Sequence, residues 1–290
     1  MTAADPRSAG YKDLRLFGRR QDKPLKPRQA RLMESLLPEL AVTPETVADV
    51  IAERRASPRS SSEAIAQTEE RSSSEAIAQT EERSSSEAMA QSEKRSSSER
   101  ERAVAPKRKT AQEVWLEVGF GGGEHLAWQA ERHPDALLVG AEPFVNGVAK
   151  LLTQIEERRL SNVRICHGDA RQLMAAMPDR CLSRLFVLHP DPWPKRKHHK
   201  RRIVSQPFLA EAARLLRPGA ELRVSSDIPD YVRWTLMQVQ VANREERRFE
   251  WTARAPSDWL DRPGDWPQTR YEAKALREGR RPAYLRFLRR

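Results

Sequence analysis

The sequence predicts an α/β protein built on a mostly parallel sheet with helices on both faces. Three observations carry that expectation. Short apolar runs alternate with amphipathic stretches from residue 114 onward, the first run ends in a glycine-rich turn, and an acidic residue stands at the end of each of the first three runs. Strands that alternate with helices of ten or so residues pair in parallel, and right-handed crossovers then bring the loops after the strands to one edge, where ligands bind.

In chain order, Met1 to Gly10 is polar and lacks the apolar run of a signal peptide, and no stretch approaches the ~18 apolar residues of a membrane span. The expected location is therefore the cytoplasm, without a membrane partner. Tyr11 to Arg31 is a basic arm leading into a short amphipathic helix around Arg28 to Leu37, which Pro38 and Pro44 interrupt. Residues 1–56 are read as this arm with its helix. Residues 57–110 differ: SSSEAIAQTEER begins at Ser60, returns from Ser72, and returns from Ser84 as SSSEAMAQSEKR. Each Ser-Ser-Ser-Glu has the form of a capping box. Yet within residues 60–102 Ile65, Ile77 and Met89 are the only large apolar residues, twelve apart, and twelve residues rotate a helix by about 120° beyond whole turns. They cannot form a stripe, and the expectation is a disordered, mobile insertion.

Residues 111–290 form the main domain. Apolar runs at Val114–Val118, Leu137–Ala141, Val163–Cys166, Leu185–Leu188 and Leu222–Val224 read as buried strands. Helical patterns at Glu124–Arg132, Val145–Arg158, Ala170–Ala176, Pro207–Leu216 and Asp230–Ala242 lie between and after them. Cys166 and Cys181, the only cysteines, sit inside apolar runs as small buried side chains, too few for a four-thiolate zinc site, and no metal is expected. The net charge is +11. Residues 60–102 carry a net −4, so the remainder carries +15, which points to a polyanionic partner, nucleic acid first.

The chemistry concentrates after the strands. Glu117 and Gly119, Gly121, Gly122 and Gly123 form the first turn, with Glu124 at the sixth place of a GxGxxG-like pattern. Glycine lets the backbone turn sharply beside a ligand, but acids at both ends repel a pyrophosphate and suit an ammonium and a sulfonium. Glu142, at the end of the second strand, can accept from both hydroxyls of a ribose or stand as a solvated strand-end acid. Asp169 can take an adenine amine or cap the next helix. Together the three acids and the glycine turn resemble the cofactor site of class I S-adenosylmethionine-dependent methyltransferases.

The fourth strand runs into His189, Pro190, Asp191, Pro192, Trp193 and Pro194, then Lys195 to Arg202 with six Lys or Arg in eight positions. Two prolines stiffen the backbone around one carboxylate, Trp193 offers a face for a base, and the basic run suits phosphate contacts at Lys197, Lys200, Arg201 and Arg202. This block resembles the Pro-Asp-Pro-Trp-Pro-Lys-basic signature of the tRNA (guanine-N7)-methyltransferase family. Trp115 to Gly121, Gly140 to Phe144, Asn162 to Arg164, Ser226-Asp227, and Thr269 to Glu272 followed by Gly279 agree with it. The similarity covers about residues 11–40 and nearly everything from Val114 on, and it skips the repeats.

The resemblance implies a Rossmann-like class I fold and transfer of a methyl group from S-adenosylmethionine to N7 of a guanine in the variable loop of tRNA. It implies cofactor contacts at Glu117, Glu142 and Asp169, beside Gly119 and Gly121, and Asp191 as the active-site acid. It places Lys195, Asp227, Thr269, Arg270, Tyr271 and Glu272 around the guanine, with no obligatory protein partner. His189 departs from the apolar or aromatic residue usual there, which puts the packing around Asp191 in question. The competing readings are a class I methyltransferase acting on another RNA site or on protein, and a non-catalytic RNA-binding protein on the same scaffold. A nicotinamide oxidoreductase is disfavoured by Glu124.

Overall fold

A computed structural model describes residues 20–56 and 113–290. The first part of the basic arm and the expected mobile repeats at 57–110 lie outside the described residues. Seven strands form one sheet in the order β3-β2-β1-β4-β5-β7-β6. They are β1 (Val114–Val118), β2 (Leu137–Ala141), β3 (Val163–Cys166), β4 (Leu182–Leu188), β5 (Leu216–Ser226), β6 (Phe249–Trp251) and β7 (Ala283–Arg289). Strands β1 to β5 pair in parallel. Every residue of β1 and β2 is buried, as expected of strands covered on both faces. Strand order reverses between β1 and β4, and this is the switch point at which open α/β sheets bind ligands.

The helices are α1 (Pro27–Ser35), α2 (Leu37–Leu40), α3 (Val47–Ala56), α4 (Glu124–Arg132), α5 (Val145–Arg158), α6 (Ala170–Ala176), α7 (Gln206–Leu215), α8 (Pro229–Ala242), α9 (Ser257–Leu260) and α10 (Arg270–Arg277). The first three strands match the expected bounds, whereas β4 and β5 are longer at their starts. Leu216, read as the end of a helix, instead pairs with Leu182 across a register irregularity. Strand β7 runs antiparallel to β5 and β6 antiparallel to β7, so two strands beyond the expected five close that edge. Three residues of β6 are too few to show a period, and Arg286 and Arg289 break the apolar run of β7.

The N-terminal helices cover the opposite edge. Ala41 bridges Ile165 and the Val42 N–H donates to the Ile165 carbonyl at 3.0 Å, which occupies a backbone group that β3 would otherwise expose. Val42, Val47 and Ile51 enter the core on one face of the sheet, and Leu32 and Leu40 enter it on the other. On α5, Glu156 accepts two bonds from Arg28 and Glu157 a third, at 2.6–2.8 Å. Helix α3 was not legible, because only two of its residues, Val47 and Ile51, are buried. Both cysteines are buried and unpaired, and burial pushes the Cys166 thiol up to about 11.

Candidate active site at the switch point

Four loops converge where β1 and β4 diverge. After β1 the chain turns through Gly119 (φ +71°), Gly121 (φ +57°) and Gly123 (φ +76°), conformations that only glycine adopts at low cost. The Gly121 N–H donates to Glu142 Oε2 at 2.7 Å, and the Phe144 N–H donates to Oε1 at 2.9 Å. The carboxylate after β2 is thus tied to the turn after β1 by one neutral backbone donor and to its own loop by another. Burial raises the Glu142 pKa, the two backbone bonds oppose the rise, and the charges of Asp191 and Glu117 add to it. Gly147 on α5 allows this approach, since a Cβ there would lie 2.1 Å from the Gly121 carbonyl oxygen. Its place inside a helical pattern concealed that role.

Glu117 is 2% exposed on β1, and its Oε2 lies 2.8 Å from His125 Nδ1. His125 Nε2 lies 3.1 Å from Gln129 Nε2, which donates to the Asp265 carbonyl at 2.7 Å. Sequence reasoning missed His125 and Gln129. The available signal was their spacing of four on a helix that starts at the glycine turn. Asp169 takes the helix-capping alternative here. It accepts from the Arg171 N–H at 2.9 Å and forms a fork with the Arg171 guanidinium, with its closest contact at 2.6 Å.

Residues expected on the guanine side follow β4 and β5. His189 (φ +47°) and Trp193 (φ +43°) hold left-handed conformations unusual for residues with side chains, and they bracket Asp191. The unusual histidine has a partner: His189 Nδ1 lies 3.3 Å from Asp227 Oδ1, and Arg280 Nε donates to Asp227 Oδ2 at 2.6 Å. These contacts, that of His189 foremost, hold the Asp227 carboxyl far below the usual carboxylate range. Asp191 makes no hydrogen bond or ion pair among the described residues. Asp191 is exposed, yet the surrounding protein raises its pKa by desolvation.

Helix α10 begins beside the glycine turn. Thr269 caps it by accepting from the Glu272 N–H at 3.2 Å, and Arg270 pairs with Glu124. The Tyr271 ring lies against Gly121, where an added Cβ would come within 2.9 Å of it. Glu117, Gly119, Glu124, His189, Thr269 and Tyr271 share a narrow cleft of about 10 Å³ with no lysine or arginine in its lining. Glu272 departs from the expected guanine-side placement. It is 3% exposed and turned inward, accepting from the Tyr284 hydroxyl at 2.7 Å.

The basic run divides. Arg196–Arg201 form a 3-10 helix on which Lys197 and Lys200 are exposed, and Lys195 precedes it, also exposed. Arg202 is a correction to the expected phosphate contact. Its side chain is 1% exposed and donates to the Pro192 carbonyl at 2.9 Å and to Asp230 at 2.5 Å, against Tyr231 and Trp234. A guanidinium so placed braces the Asp191 turn from within. The Arg201 guanidinium lies over the Trp193 ring, 4.9 Å from its centroid, so the flat face expected for a base already carries a cation.

Residues 111–284 match a family model described as "Putative methyltransferase". A tRNA (guanine-N(7)-)-methyltransferase of Rhodospirillum rubrum is 42% identical over 96% of this chain and 89% of its own length. Another, of Ruegeria sp., is 57% identical over 61% of this chain and 68% of its own. Among solved structures, an rRNA methylase from Streptococcus thermophilus aligns with 61% of this chain and 87% of its own at 10% identity, with a TM-score of 0.41. That likeness is too loose to bear on function.

Proposed function

This chain belongs to the tRNA (guanine-N7)-methyltransferase family, and from that premise we propose that it methylates N7 of a guanine in tRNA with S-adenosylmethionine as donor, using Asp191 as its catalytic acid group. The observation that carries the assignment of Asp191 is its isolation. Unlike Glu117 and Glu142, it has no hydrogen bond or ion pair among the described residues, and it stands on a turn held by Pro190, Pro192 and the buried Arg202.

The cleft beside it fits the cofactor in chemistry. Acids line it, no Lys or Arg does, and Gly119 presents a turn where a Cβ would meet nothing within 4 Å. Glu117 would hold the ammonium and Glu142 the ribose hydroxyls with the lone pairs its two backbone bonds leave over. Asp169 would reach the adenine side only by sharing its oxygens with Arg171. The Tyr271 ring, seated on Gly121, would swing outward to admit a ligand along the turn. When bound, S-adenosylmethionine supplies an electrophilic methyl group on a sulfonium.

Guanine N7 offers an in-plane lone pair and no proton, so no side chain need act as a base. Catalysis rests on positioning and on charge. As the ring becomes cationic, the unpaired Asp191 carboxylate stabilises charge that the ground state lacks. Tyr271 lines the cleft and the exposed Lys195 follows the Asp191 turn, while Asp227, locked by His189 and Arg280, orders the loop after β5. Lys197 and Lys200 face outward for tRNA phosphates. The test is incubation with isotopically labelled cofactor and unmodified tRNA, followed by digestion to nucleosides. Labelled 7-methylguanosine is expected. A different methylated nucleoside would shift the reading to another RNA site, and tRNA binding without transfer would make the chain a binding protein.

A further inference from the structure

A polar chain runs inward from Glu117: His125 lines the cleft beside it, and Gln129 lies beyond. His125 and Gln129 lie four residues apart on one face of α4, at 2% and 0% exposure. The imidazole is held edge-on to Phe186, with ring centroids 4.7 Å apart. Its protonation follows from the atoms around it. The Asp265 carbonyl can only accept, so the nitrogen of the Gln129 amide, not its oxygen, must face it at 2.7 Å. The same nitrogen lies 3.1 Å from His125 Nε2, and its second hydrogen points there. His125 Nε2 is then an acceptor, and the ring proton sits on Nδ1, 2.8 Å from Glu117 Oε2. An imidazolium would set an N–H against an amide N–H. The arrangement leaves Gln129 Oε1 buried without a hydrogen-bond partner, a cost accepted to keep the donors pointing one way.

We propose that His125 is a positioning residue for the cofactor acid: the Asp265 carbonyl, acting through Gln129, locks it as the neutral Nδ1–H tautomer, and it presents Glu117 to the cationic end of the cofactor. This rests on the reading of Glu117 as a cofactor-binding acid. A neutral donor fixes one carboxylate oxygen without cancelling the charge, whereas an arginine there would hold the carboxylate and neutralise it. The relay also joins the two halves of the site, because Asp265 lies four residues before Thr269, at the start of the segment that carries Arg270 and Tyr271.

Two measurements test the proposal. Nitrogen NMR of protein labelled in its six histidines, with His125→Asn to assign the resonance, is expected to show a protonated Nδ1 and an unprotonated Nε2 for His125 at neutral pH. A proton on Nε2 would overturn the proposal whatever the affinities of the variants. Calorimetry with S-adenosylhomocysteine is expected to show about tenfold weaker binding for His125→Leu. His125→Asn places an amide nitrogen where Nδ1 stood and is expected to recover to within about threefold of the unsubstituted protein. Equal affinity of His125→Leu and the unsubstituted protein, or equal weakening of the two variants, would also overturn it. Unchanged affinity in Glu117→Ala would instead remove the cofactor reading on which the proposal rests.

Discussion

Glu117 and Glu142 on one side of the switch point are held differently from Asp227 and Asp230 on the other, while Asp169 and Glu124 on the first side pair with Arg171 and Arg270. At the ends of β1 and β2, Glu117 and Glu142 are buried and held by a neutral imidazole and by backbone N–H groups. After β4 and β5, Asp227 is held by Arg280 and His189, and Asp230 by Arg202, while Asp191 is left alone among the described residues. Neutral donors orient an acid and leave its charge for a ligand, whereas a cationic partner uses the charge up. Under the proposed function, the first side is built to meet a cation already present when it binds. The second side is neutralised everywhere except at the group that meets charge only as it develops.

The sharpest test of this contrast is Asp191→Asn, which keeps size and removes charge. The single-turnover rate on unmodified tRNA is expected to fall about 10²–10³-fold, with cofactor affinity by calorimetry near normal. Stability should not fall with it. A carboxyl whose folded pKa is raised costs stability above that pKa, so the melting temperature at pH 7 is expected to hold or rise. For the same reason the acid limb of the rate profile is expected above the ordinary Asp pKa of about 3.9, because the rate is lost as pH falls through a raised value. A normal transfer rate in the variant would make Asp191 a turn residue.

Arg202→Met asks whether the turn depends on its buried brace. Removing the donor to the Pro192 carbonyl and to Asp230 is expected to cost about 2–3 kcal/mol in denaturant unfolding. An unchanged midpoint would return Arg202 to the solvent-facing run. Glu142→Ala breaks the other side. Loss of a charged acceptor is expected to weaken cofactor binding roughly ten- to hundredfold, while single-turnover rates at saturating cofactor stay within a few-fold. A rate defect equal to that of Asp191→Asn would erase the distinction between the sides. The mildest change is Lys197→Ala with Lys200→Ala, two exposed residues. It is expected to flatten the salt dependence of tRNA binding by up to about 0.9 log–log unit per lost phosphate contact, if the RNA duplex behaves like B-DNA. Cofactor affinity should not change, and an unaltered slope would mean that these lysines only face solvent.

Periodicity and strand-end chemistry by themselves determined the parallel core, the glycine turn and the positions of Glu117, Glu142, Asp169 and Asp191. Buried parallel strands are continuous apolar runs, and a ligand-bearing residue must stand where such a run stops. The same reading could not separate Lys200 from Arg202, which are neighbours of like charge in one run. Which of them turns inward depends on Tyr231, Trp234 and Asp230, nearly thirty residues away. Nor could it show that Glu272 faces Tyr284, that Asp169 is shared with Arg171, or that Asp227 is what answers the unexpected His189. Strands β6 and β7 were hidden because one is too short for a period and the other is interrupted by arginines. A side chain's type and spacing are local properties that a sequence displays. Its partner is set by which distant segments the sheet brings alongside, and for these carboxylates and guanidinium groups the partner decides whether the charge is free to act.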